Sequence, residues 1–403
     1  MYDGTWSKAL EQVERQPHLP RPVQGYALDV AARLESAHPH FLIKILYSSD
    51  LVRQSFNVFA SQDIDQQQDF LHRVAQHAPD VLHGLEHLDP LAQVARALIL
   101  LKPRRVVEAL FGSCPDGYLG LLSRLGCDPL PSKETYRAAF DLFSDPRHRQ
   151  RAKVLGQLPG RVTAEHIAVV AGLDDALVHR AVVEKAKSAE VRALNQFVTM
   201  IGDFCGATPS SIRASLDRLN VGTRGVGMGE WAQGWLGRQV RLPFDPPIPA
   251  SDPDFRLCLG VELTSLGRRL RNCAGQRQSY TFLGERLVYE VVGFGEPAAL
   301  ELLRLTTGAG SKWVCEDLRA PRNRRVSPEL AAAVQFRLDY YGVLYQSLAH
   351  PSVEEQALHK LIDHTTPFAW DRRREVADDA HVDADMDRML EELEQEVHGR
   401  EAA

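Results

Sequence analysis

The spacing of apolar residues changes once along the chain, and this change limits the folds that the chain can adopt. As far as about Leu219, apolar residues recur at steps of three and four, as in "QGYALDVAARLESA", which predicts amphipathic helices. Beyond Pro253, "RLVYEVVGFG" and "ALELLRLTTGAGSKWVCEDLRA" are rich in strand-forming residues, with glycine-rich turns between them. The sequence therefore predicts a mixed fold: an all-α N-terminal domain, followed by a small α+β domain with an antiparallel β-meander and C-terminal helices.

Four segments follow from this change of pattern. At 403 residues the chain is long enough for two or three domains. Residues 1–220 are predicted to form an irregular helical domain, and the glycine- and proline-rich residues 221–253 a linker. Residues 254–350 are predicted to form the α+β domain, in which Ser327 caps a helix that begins at Pro328. Residues 351–403 are predicted to form a C-terminal helical region with an acidic tail.

Composition excludes several classes of protein. Hydrophobic residues make up 44% of the chain and charged residues 25%, as in a folded globular protein. No apolar run approaches the ~18 residues that cross a bilayer, so "VARALILL" predicts a buried helix and no membrane partner. The start, "MYDGTWSKALEQVERQ", does not resemble a secretory signal, which predicts a cytoplasmic location. Six scattered cysteines without a C-x-x-C pair predict reduced thiols in place of disulfides.

The charge is distributed unevenly. A net charge of −6 argues against a globally basic nucleic-acid-binding protein, but it leaves room for a local basic surface. Much of the acid lies in the last thirty residues, where apolar residues follow a helical spacing: Val382, Met386, Met389, Leu390, Leu393 and Val397. This pattern predicts an amphipathic helix that covers the body of the protein or binds a protein partner.

The C-terminal half carries a family likeness. A proline-rich segment, "LPFDPPIP", precedes "LTSLGRRLRNCA", "LVYEVV", "PAALEL" and "WVCEDLRAPRN". This order resembles the PcfJ-like proteins over residues 243–326. The matching positions are Asn272, Cys273, Gly284, Pro297, Leu300, Glu301, Trp313 and Asn323. Ala299, Asp317 and Ala320 stand where threonine, glutamine and glycine are usual. The resemblance implies an association with conjugative and other mobile elements, but it implies no defined reaction.

Cys273 is the candidate catalytic residue. Arg268, Arg269, Arg271 and Arg277 surround it in the sequence, and cationic neighbours favour the reactive thiolate. The end of a helix disfavours the thiolate, and residues 251–325 contain no histidine, so a partner such as His350 or His359 would have to come from elsewhere. The alternative is a buried structural cysteine, with the arginines pointing outward.

Arginines form the second candidate site, a surface that binds nucleic acid. Arginine side chains suit phosphate groups, and nearby aromatic residues can stack on bases. We place Tyr280, Phe282 and Trp313 among such aromatics. The alternative is an ordinary solvated surface, on which the arginines alternate with Glu285, Glu290, Glu296 and Glu301. The predicted nucleic-acid-binding residues are Arg268, Arg269, Arg271, Arg277, Arg319, Arg322, Arg324 and Arg325.

Three further motifs have structural explanations. "HGLEH" fits an inverted zinc-protease pattern, but a helix there turns His83 and His87 toward solvent. "TAEHIAVVAGLDDALVHRAV" reads as two helices capped by Thr163 and Asp174, either a DNA-reading helix-turn-helix or a common helical hairpin. "GVGMG" lacks the preceding strand of a phosphate-binding loop, and Trp231 and Trp235 beside it are expected to pack on a neighbour. No metal or cofactor site is predicted.

Three hypotheses for function follow. The first is a mobile-element or phage-associated accessory protein whose PcfJ-like domain contacts DNA, RNA or a nucleic-acid-processing partner. The second is a cysteine-dependent enzyme centred on Cys273. The third is a protein-interaction scaffold that uses the acidic C-terminal helix. The sequence does not decide whether the protein is an enzyme.

Overall fold

The structure is a computed structural model, and it describes residues 23–62, 69–219, 227–308 and 310–345. In chain order the first helices are α1 (Gly25–Ala37), α2 (Phe41–Leu46), α3 (Asp50–Ala60), α4 (Phe70–His77), α5 (Pro90–Leu100), α6 (Pro103–Phe111), α7 (Tyr118–Leu122) and α8 (Lys133–Ser144). They continue with α9 (Arg149–Gln157), α10 (Ala164–Gly172), α11 (Arg180–Lys185), α12 (Val191–Cys205), α13 (Pro209–Leu216) and α14 (Met228–Leu236). Helices therefore dominate the N-terminal part, as the apolar spacing predicts.

The C-terminal half contains a small mixed sheet. Its elements are β1 (Phe255–Cys258), α15 (Val261–Leu270), α16 (Gln278–Phe282), β2 (Arg286–Val291), β3 (Ala298–Thr307), β4 (Gly310–Arg319), α17 (Pro328–Tyr340) and β5 (Leu344–Tyr345). The strand order is β1-β2-β3-β4-β5. Strands β2, β3 and β4 form the predicted antiparallel meander, whereas β5 pairs with β4 in parallel. The short strand β5 was not predicted, and its parallel pairing makes the sheet a mixed one.

The chain divides into two compact units whose boundaries interleave in the sequence. The first unit contains the described residues up to Pro246, together with Cys258–Arg268 and Cys273–Glu285. The second contains Pro247–Leu257, Arg269–Asn272 and the described residues from Arg286 onward. The interval 221–253, predicted as a linker, includes α14, whose Trp231 and Trp235 are buried in the core of the first unit. Trp231 Nε1 donates to Ser215 Oγ at 2.8 Å, so these tryptophans do pack on a neighbouring helix.

Helix α3 is the centre of the first unit. Every residue from Arg53 to Ala60 is buried, which places this helix among others and away from solvent. Phe56 and Phe59 make edge-to-face contacts with Phe41 and Phe70, at centroid distances of 5.6 and 5.0 Å. Helix α5 contains most of "VARALILL" and is buried at Val94, Ala95, Ala97 and Leu98, as predicted.

The second unit buries the apolar faces of its sheet and of α17. On α17 the buried residues follow a helical spacing: Leu330, Ala331, Val334 and Leu338. Ser327 accepts a hydrogen bond from the Leu330 amide at 3.2 Å, and Pro328 is the first helical residue, which confirms the predicted start. The helix ends at Tyr340, and Gly342 with φ 65° turns the chain into β5.

Two helical predictions were wrong. Helix α4 stops at His77, because Pro79 begins a short 3-10 turn and Gly84 takes a φ of 79°, so His83 and His87 lie in exposed turns and not on a helix. Thr163 caps α10 as predicted. Asp174, however, caps only the 3-10 turn Asp175–Leu177, and α11 is six residues long. The second helix of the predicted pair therefore begins at Arg180 and not directly after Asp174, and it is shorter than predicted.

The predicted acidic helix, His350 and His359 lie outside the described residues. No helix in the described ranges is long and apolar enough to cross a membrane.

Candidate functional site

The register of the meander places charged residues of three strands on one face of the sheet. Val288 of β2 pairs with Glu301 of β3, and Glu301 pairs with Asp317 of β4. Paired residues point to the same side, and side chains alternate along each strand. We call this side, with two arginines that reach it, the charged face: Arg256, Arg269, Arg286, Glu290, Glu301, Glu316, Asp317 and Arg319.

Glu290 is the most buried member of the charged face, with 4% of its surface exposed. Arg269 Nη2 donates to its Oε2 at 2.8 Å, Arg269 Nη1 donates to its Oε1, and Arg256 Nη2 also donates to Oε2. The hydrogen bonds from Arg269 lower the pKa of Glu290 below its ordinary value, against the effect of burial, and the charge of Arg256 adds to the lowering. The sequence-based alternative treated Glu290 as part of a solvated surface, and this was wrong because its strand is buried on both sides.

Arg286 connects two carboxylates on neighbouring strands. Its Nη1 donates to Glu301 Oε1 at 2.6 Å and also to Glu316 Oε2. Glu316 reaches this position because the β3–β4 register shifts between Glu301 and Leu302, so that Asp317 pairs with Glu301 but Cys315 pairs with Leu302. Such a bulge adds one residue to β4, here Glu316, and changes the direction in which the Glu316 side chain points.

Asp317 and Arg319 complete the charged face. Arg319 Nε donates to Asp317 Oδ1 at 2.7 Å, and the Leu318 amide donates to the same oxygen at 3.0 Å. Burial raises the pKa of Asp317 above its ordinary value, although the charge of Arg319 and both hydrogen bonds oppose this rise. Arg269 and Arg319, both predicted to bind nucleic acid, are thus engaged with carboxylates of their own unit.

The segment after β4 forms a tight turn that carries three arginines. We call residues 320–325 the arginine loop. The Ala320 amide donates to the Arg324 carbonyl at 2.9 Å, and Arg319 and Arg325 form an antiparallel bridge. Arg322 and Asn323 take left-handed φ values of 60° and 54°. Non-glycine residues adopt this conformation only where their surroundings hold them there, so two in succession mark a constrained turn.

The arginine loop displays its side chains to solvent. Ala320 and Val326 are buried on either side of it, at 1% and 8% exposure, whereas Arg322, Asn323, Arg324 and Arg325 are exposed. Within the described ranges, Arg322 and Arg324 form no ion pair with a carboxylate; Arg324 Nε instead donates to the Pro321 carbonyl at 3.2 Å. Arg322 and Arg324 differ in this respect from the arginines of the charged face, which neutralise carboxylates.

The other predicted arginines are divided between the two units. Arg271, which is exposed with a φ of 50°, belongs to the second unit with Arg269 and the arginine loop. Arg268, which is exposed, and Arg277, which is half-buried, belong to the first unit.

Cys273 is exposed, so the interpretation that it packs inward was wrong. Helix α15 ends at Leu270, and Arg271, with its left-handed φ, turns the chain before Cys273 begins the 3-10 turn Cys273–Arg277. The thiol therefore lies at the start of a new turn and not inside the end of α15. Among the other cysteines, burial raises the pKa of Cys205 to about 11 and that of Cys315 to about 12.

Two of the three aromatic residues proposed to stack on bases have some exposure. Tyr280 is 40% exposed and Trp313 is half-buried. Phe282 is 2% exposed and packs against Phe197 and Phe204, at centroid distances of 5.9 and 5.6 Å, so its prediction as a stacking surface was wrong.

Gly284 has a clear structural role among the PcfJ-like motif residues. Its φ is 72°, and a Cβ there would lie 2.6 Å from the ring of Phe244, which comes from the proline-rich segment. Only glycine fits both the backbone and this contact. The other motif residues lie after α15, on the sheet or after β4. Asn272 is half-buried after α15, Glu301 and Asp317 are on the charged face, Trp313 is on β4, and Asn323 is in the arginine loop that follows β4.

Sequence reasoning missed Arg256, Arg286 and Glu316 as members of the charged face. A usable signal was Glu290 itself, a carboxylate inside the otherwise apolar run "LVYEVV", because a buried carboxylate needs a cationic partner. In the described part of the chain, no group of three His, Cys, Asp or Glu residues is placed to hold a metal ion. Comparison with protein-family models, curated proteins and solved structures gives no match.

Proposed function

We propose that the protein is an accessory protein, associated with a mobile element or phage, that contacts nucleic acid through the arginine loop of its PcfJ-like C-terminal domain. The observation that carries the proposal is the exposure of Arg322, Arg324 and Arg325 on one constrained turn. Guanidinium groups bind phosphate oxygens in a forked geometry, and a turn that is already ordered loses little conformational entropy on binding.

The contrast with the charged face supports the choice of site. There, Arg256, Arg269, Arg286 and Arg319 bond to carboxylates, so their charge is largely cancelled within the domain. The arginine loop contains no acidic residue, and the chain as a whole has a net charge of −6. Attraction to a polyanion must therefore be local, and this loop is a concentrated source of positive charge.

The test is a salt titration of binding. Fluorescence anisotropy measures the affinity for a 20-nucleotide single strand, the matching DNA duplex and an RNA of the same sequence, between 50 and 200 mM salt. For duplex DNA the slope of log K against log salt is about −0.9 per phosphate contact. Replacing Arg322, Arg324 and Arg325 together by Ala is expected to reduce the magnitude of this slope by about 2 to 3.

A matched control removes the same charge elsewhere. Arg96, Arg192 and Arg218 are exposed arginines of the helical unit, and their combined replacement by Ala is expected to leave the slope within one unit of the wild type. The proposal fails if no ligand binds above background at low salt, or if the control reduces the slope as much as the loop variant does. Arg319 is left in place, because its loss would leave Asp317 without its ion-pair partner.

A cysteine-dependent enzyme remains the second candidate, and the exposure of Cys273 favours it. Faster alkylation of Cys273 than of the other five thiols would not test this idea, because the exposure of Cys273 alone predicts it. The sharper comparison is with an unstructured peptide that contains residues 269–277. Iodoacetamide should label Cys273 in the folded protein at least tenfold faster than in the peptide at neutral pH, and equal rates remove the candidate. The scaffold hypothesis depends on the acidic tail and stays a prediction.

A further inference from the structure

The first unit contains a cavity of about 620 Å³ at the start of its central helix. Three pieces of chain line it: the stretch from the end of α2 to the first residues of α3, the segment that follows α7, and the turn between α9 and α10. This volume falls in the range of small-molecule sites, about 300 to 1,000 Å³. Neither the arginine loop nor Cys273 contributes to it.

The cavity is lined by three arginines and one carboxylate. Arg53, Arg124 and Arg161 line it together with one acidic residue, Asp50. Asp128, beside the lining residue Cys127, also pairs with Arg161, since its Oδ2 lies 3.8 Å from Arg161 Nη2, so positive charge exceeds negative charge by one at this site. Arg53 is only 4% exposed, which is rare for an arginine, and it interacts with other groups of the protein that hold it in the wall of the cavity. Helix α3, eleven residues long, also begins here, so the cavity lies at the positive end of its dipole. Ser49 accepts a hydrogen bond from the Val52 amide at 3.5 Å, and the other amides of the first turn are not capped by Ser49.

The wall of the cavity formed by Gly126 and Cys127 is held by buried side chains. Gln54 Nε2 donates to the carbonyls of Gly126 and Asp128, both at 2.7 Å, and Asn57 Nδ2 donates to the Cys127 carbonyl at 3.4 Å. Gln54 Oε1 in turn accepts from the hydroxyl of Tyr136 at 2.6 Å. A buried network in which each amide group has a partner makes the wall rigid, so the site exists before a ligand arrives.

The exposed arginine of the cavity is also fixed in position. Arg161 Nε donates to the Leu125 carbonyl at 2.8 Å, and a Cβ on Gly126 would lie 2.8 Å from the Arg161 guanidinium carbon. Gly126 has a φ of 83°, so the backbone both requires glycine and makes room for the guanidinium. Arg124 donates instead to carbonyls at the end of α9 and in the turn beyond it, including Gly156 at 3.1 Å and Gly160 at 2.9 Å. Arg124 therefore supplies charge. Arg161 Nη2 lies 3.8 Å from Asp128 Oδ2, and among the described residues its Nη1 forms no hydrogen bond, which leaves this nitrogen for a ligand.

From this geometry we propose that the cavity binds a small phosphorylated molecule, whose phosphate group is held by Arg53 and Arg161 beside the first turn of α3. Two guanidinium groups and a helix N-terminus match the oxygens and the charge of a phosphate. The remaining volume accommodates an organic group of about nucleotide size. This site is independent of the arginine loop, and it gives the helical unit a ligand of its own.

The test is isothermal titration of the full chain with inorganic pyrophosphate, at an ionic strength matched with sodium chloride. The wild type should give saturable binding. Arg161→Ala, at a half-exposed position that tolerates truncation, should weaken the affinity at least tenfold, and Arg161→Lys should fall between the two because it keeps the charge but loses the fork. Gly126→Ala should also weaken binding, since its Cβ displaces the guanidinium.

Two control variants separate this site from general attraction to anions. Arg96→Ala removes an exposed arginine of α5 that does not line the cavity, and the triple variant of the arginine loop removes the proposed nucleic-acid contact. Both should bind pyrophosphate within twofold of the wild type. The proposal is overturned if the wild type shows no saturable binding, if Arg161→Ala binds as the wild type does, or if Arg96→Ala weakens binding equally.

Discussion

Replacing Glu290 by Gln tests whether the buried carboxylate of β2 stabilises the second unit. The substitution keeps the shape of the side chain and removes its charge. Glu290 accepts three hydrogen bonds, two from Arg269 and one from Arg256. Gln retains one acceptor oxygen, but its amide nitrogen faces a guanidinium group and cannot accept.

The expected loss follows from the number and exposure of these bonds. A hydrogen bond to a charged group contributes about 1.5 to 3 kcal/mol to stability. The side chains of Arg256 and Arg269 are 56% and 47% exposed, so hydrogen bonds to water replace part of the interaction energy that these arginines lose in the variant. We therefore expect Glu290→Gln to lower the free energy of opening of the sheet by about 2 to 3 kcal/mol in total.

Amide hydrogen exchange measures this locally, which matters because the chain has two units that need not unfold together. A loss of about 2 kcal/mol raises the exchange rate of the β2 amides about 30-fold at neutral pH. Glu285→Gln, an exposed neighbour with the same change of charge, should leave the rate within threefold. The reasoning is refuted if the exchange rates of the β2 amides in Glu290→Gln also stay within threefold of the wild type.

The pH dependence gives a second check on Glu290. Its pKa is lowered in the folded protein, so the carboxylate stabilises the fold above the pKa of the unfolded chain, about 4.3. That contribution disappears as the pH falls through the lower, folded value. The difference between the wild type and Glu290→Gln should accordingly be largest near neutral pH and should shrink progressively below about pH 4.

The remaining predictions concern single contacts. Gly284→Ala should destabilise the first unit by about 2 to 3 kcal/mol in urea unfolding, because of its left-handed φ and the close ring, and Phe244→Ala in the same chain should recover part of this loss. Burial raises the pKa of Asp252, but the hydrogen bond from Tyr341 at 2.5 Å and those from a backbone amide and an arginine outweigh it and lower the pKa overall. Asp252→Asn should therefore cost stability at pH 7 and cost less below about pH 4. Ser327→Ala should remove a helix cap and cost about 1 kcal/mol, seen as faster exchange at the start of α17.

The elements that sequence patterns predicted well are those whose signals are local. The meander follows from strand-forming residues on either side of glycine turns, and the start of α17 follows from Ser327 and Pro328 in succession. The helix extended through His83 and His87 failed, because an apolar spacing continued past Pro79 although the backbone did not. The spacing of apolar residues shows which residues can be buried, but it does not show where a proline interrupts the backbone hydrogen bonds of a helix.

The candidate site was harder to predict because the role of an arginine depends on which residues the fold brings beside it. Arg319 and Arg322 are three residues apart in the sequence and look equivalent there. The β3–β4 register places Asp317 beside Arg319, whereas the left-handed turn carries Arg322 away from the sheet. Strand register is set by nonlocal pairing, and here a bulge in β4, opposite Glu301 and Leu302, shifts it by one residue. The charges along β4 alone therefore do not reveal which of them meet.

The same reasoning explains why Cys273 lost its predicted place in the core. Its burial was inferred from the average behaviour of cysteine, and that average describes residues on packed elements. Helix α15 ends at Leu270, and Arg271, with its left-handed φ, turns the chain. Cys273 therefore begins a separate turn, and its side chain does not lie on the buried side of α15. One residue in an unusual backbone conformation, Arg271, thus reverses the expectation that Cys273 is buried. Two such residues in succession, Arg322 and Asn323, form the turn that carries the exposed arginines on which the proposed function depends.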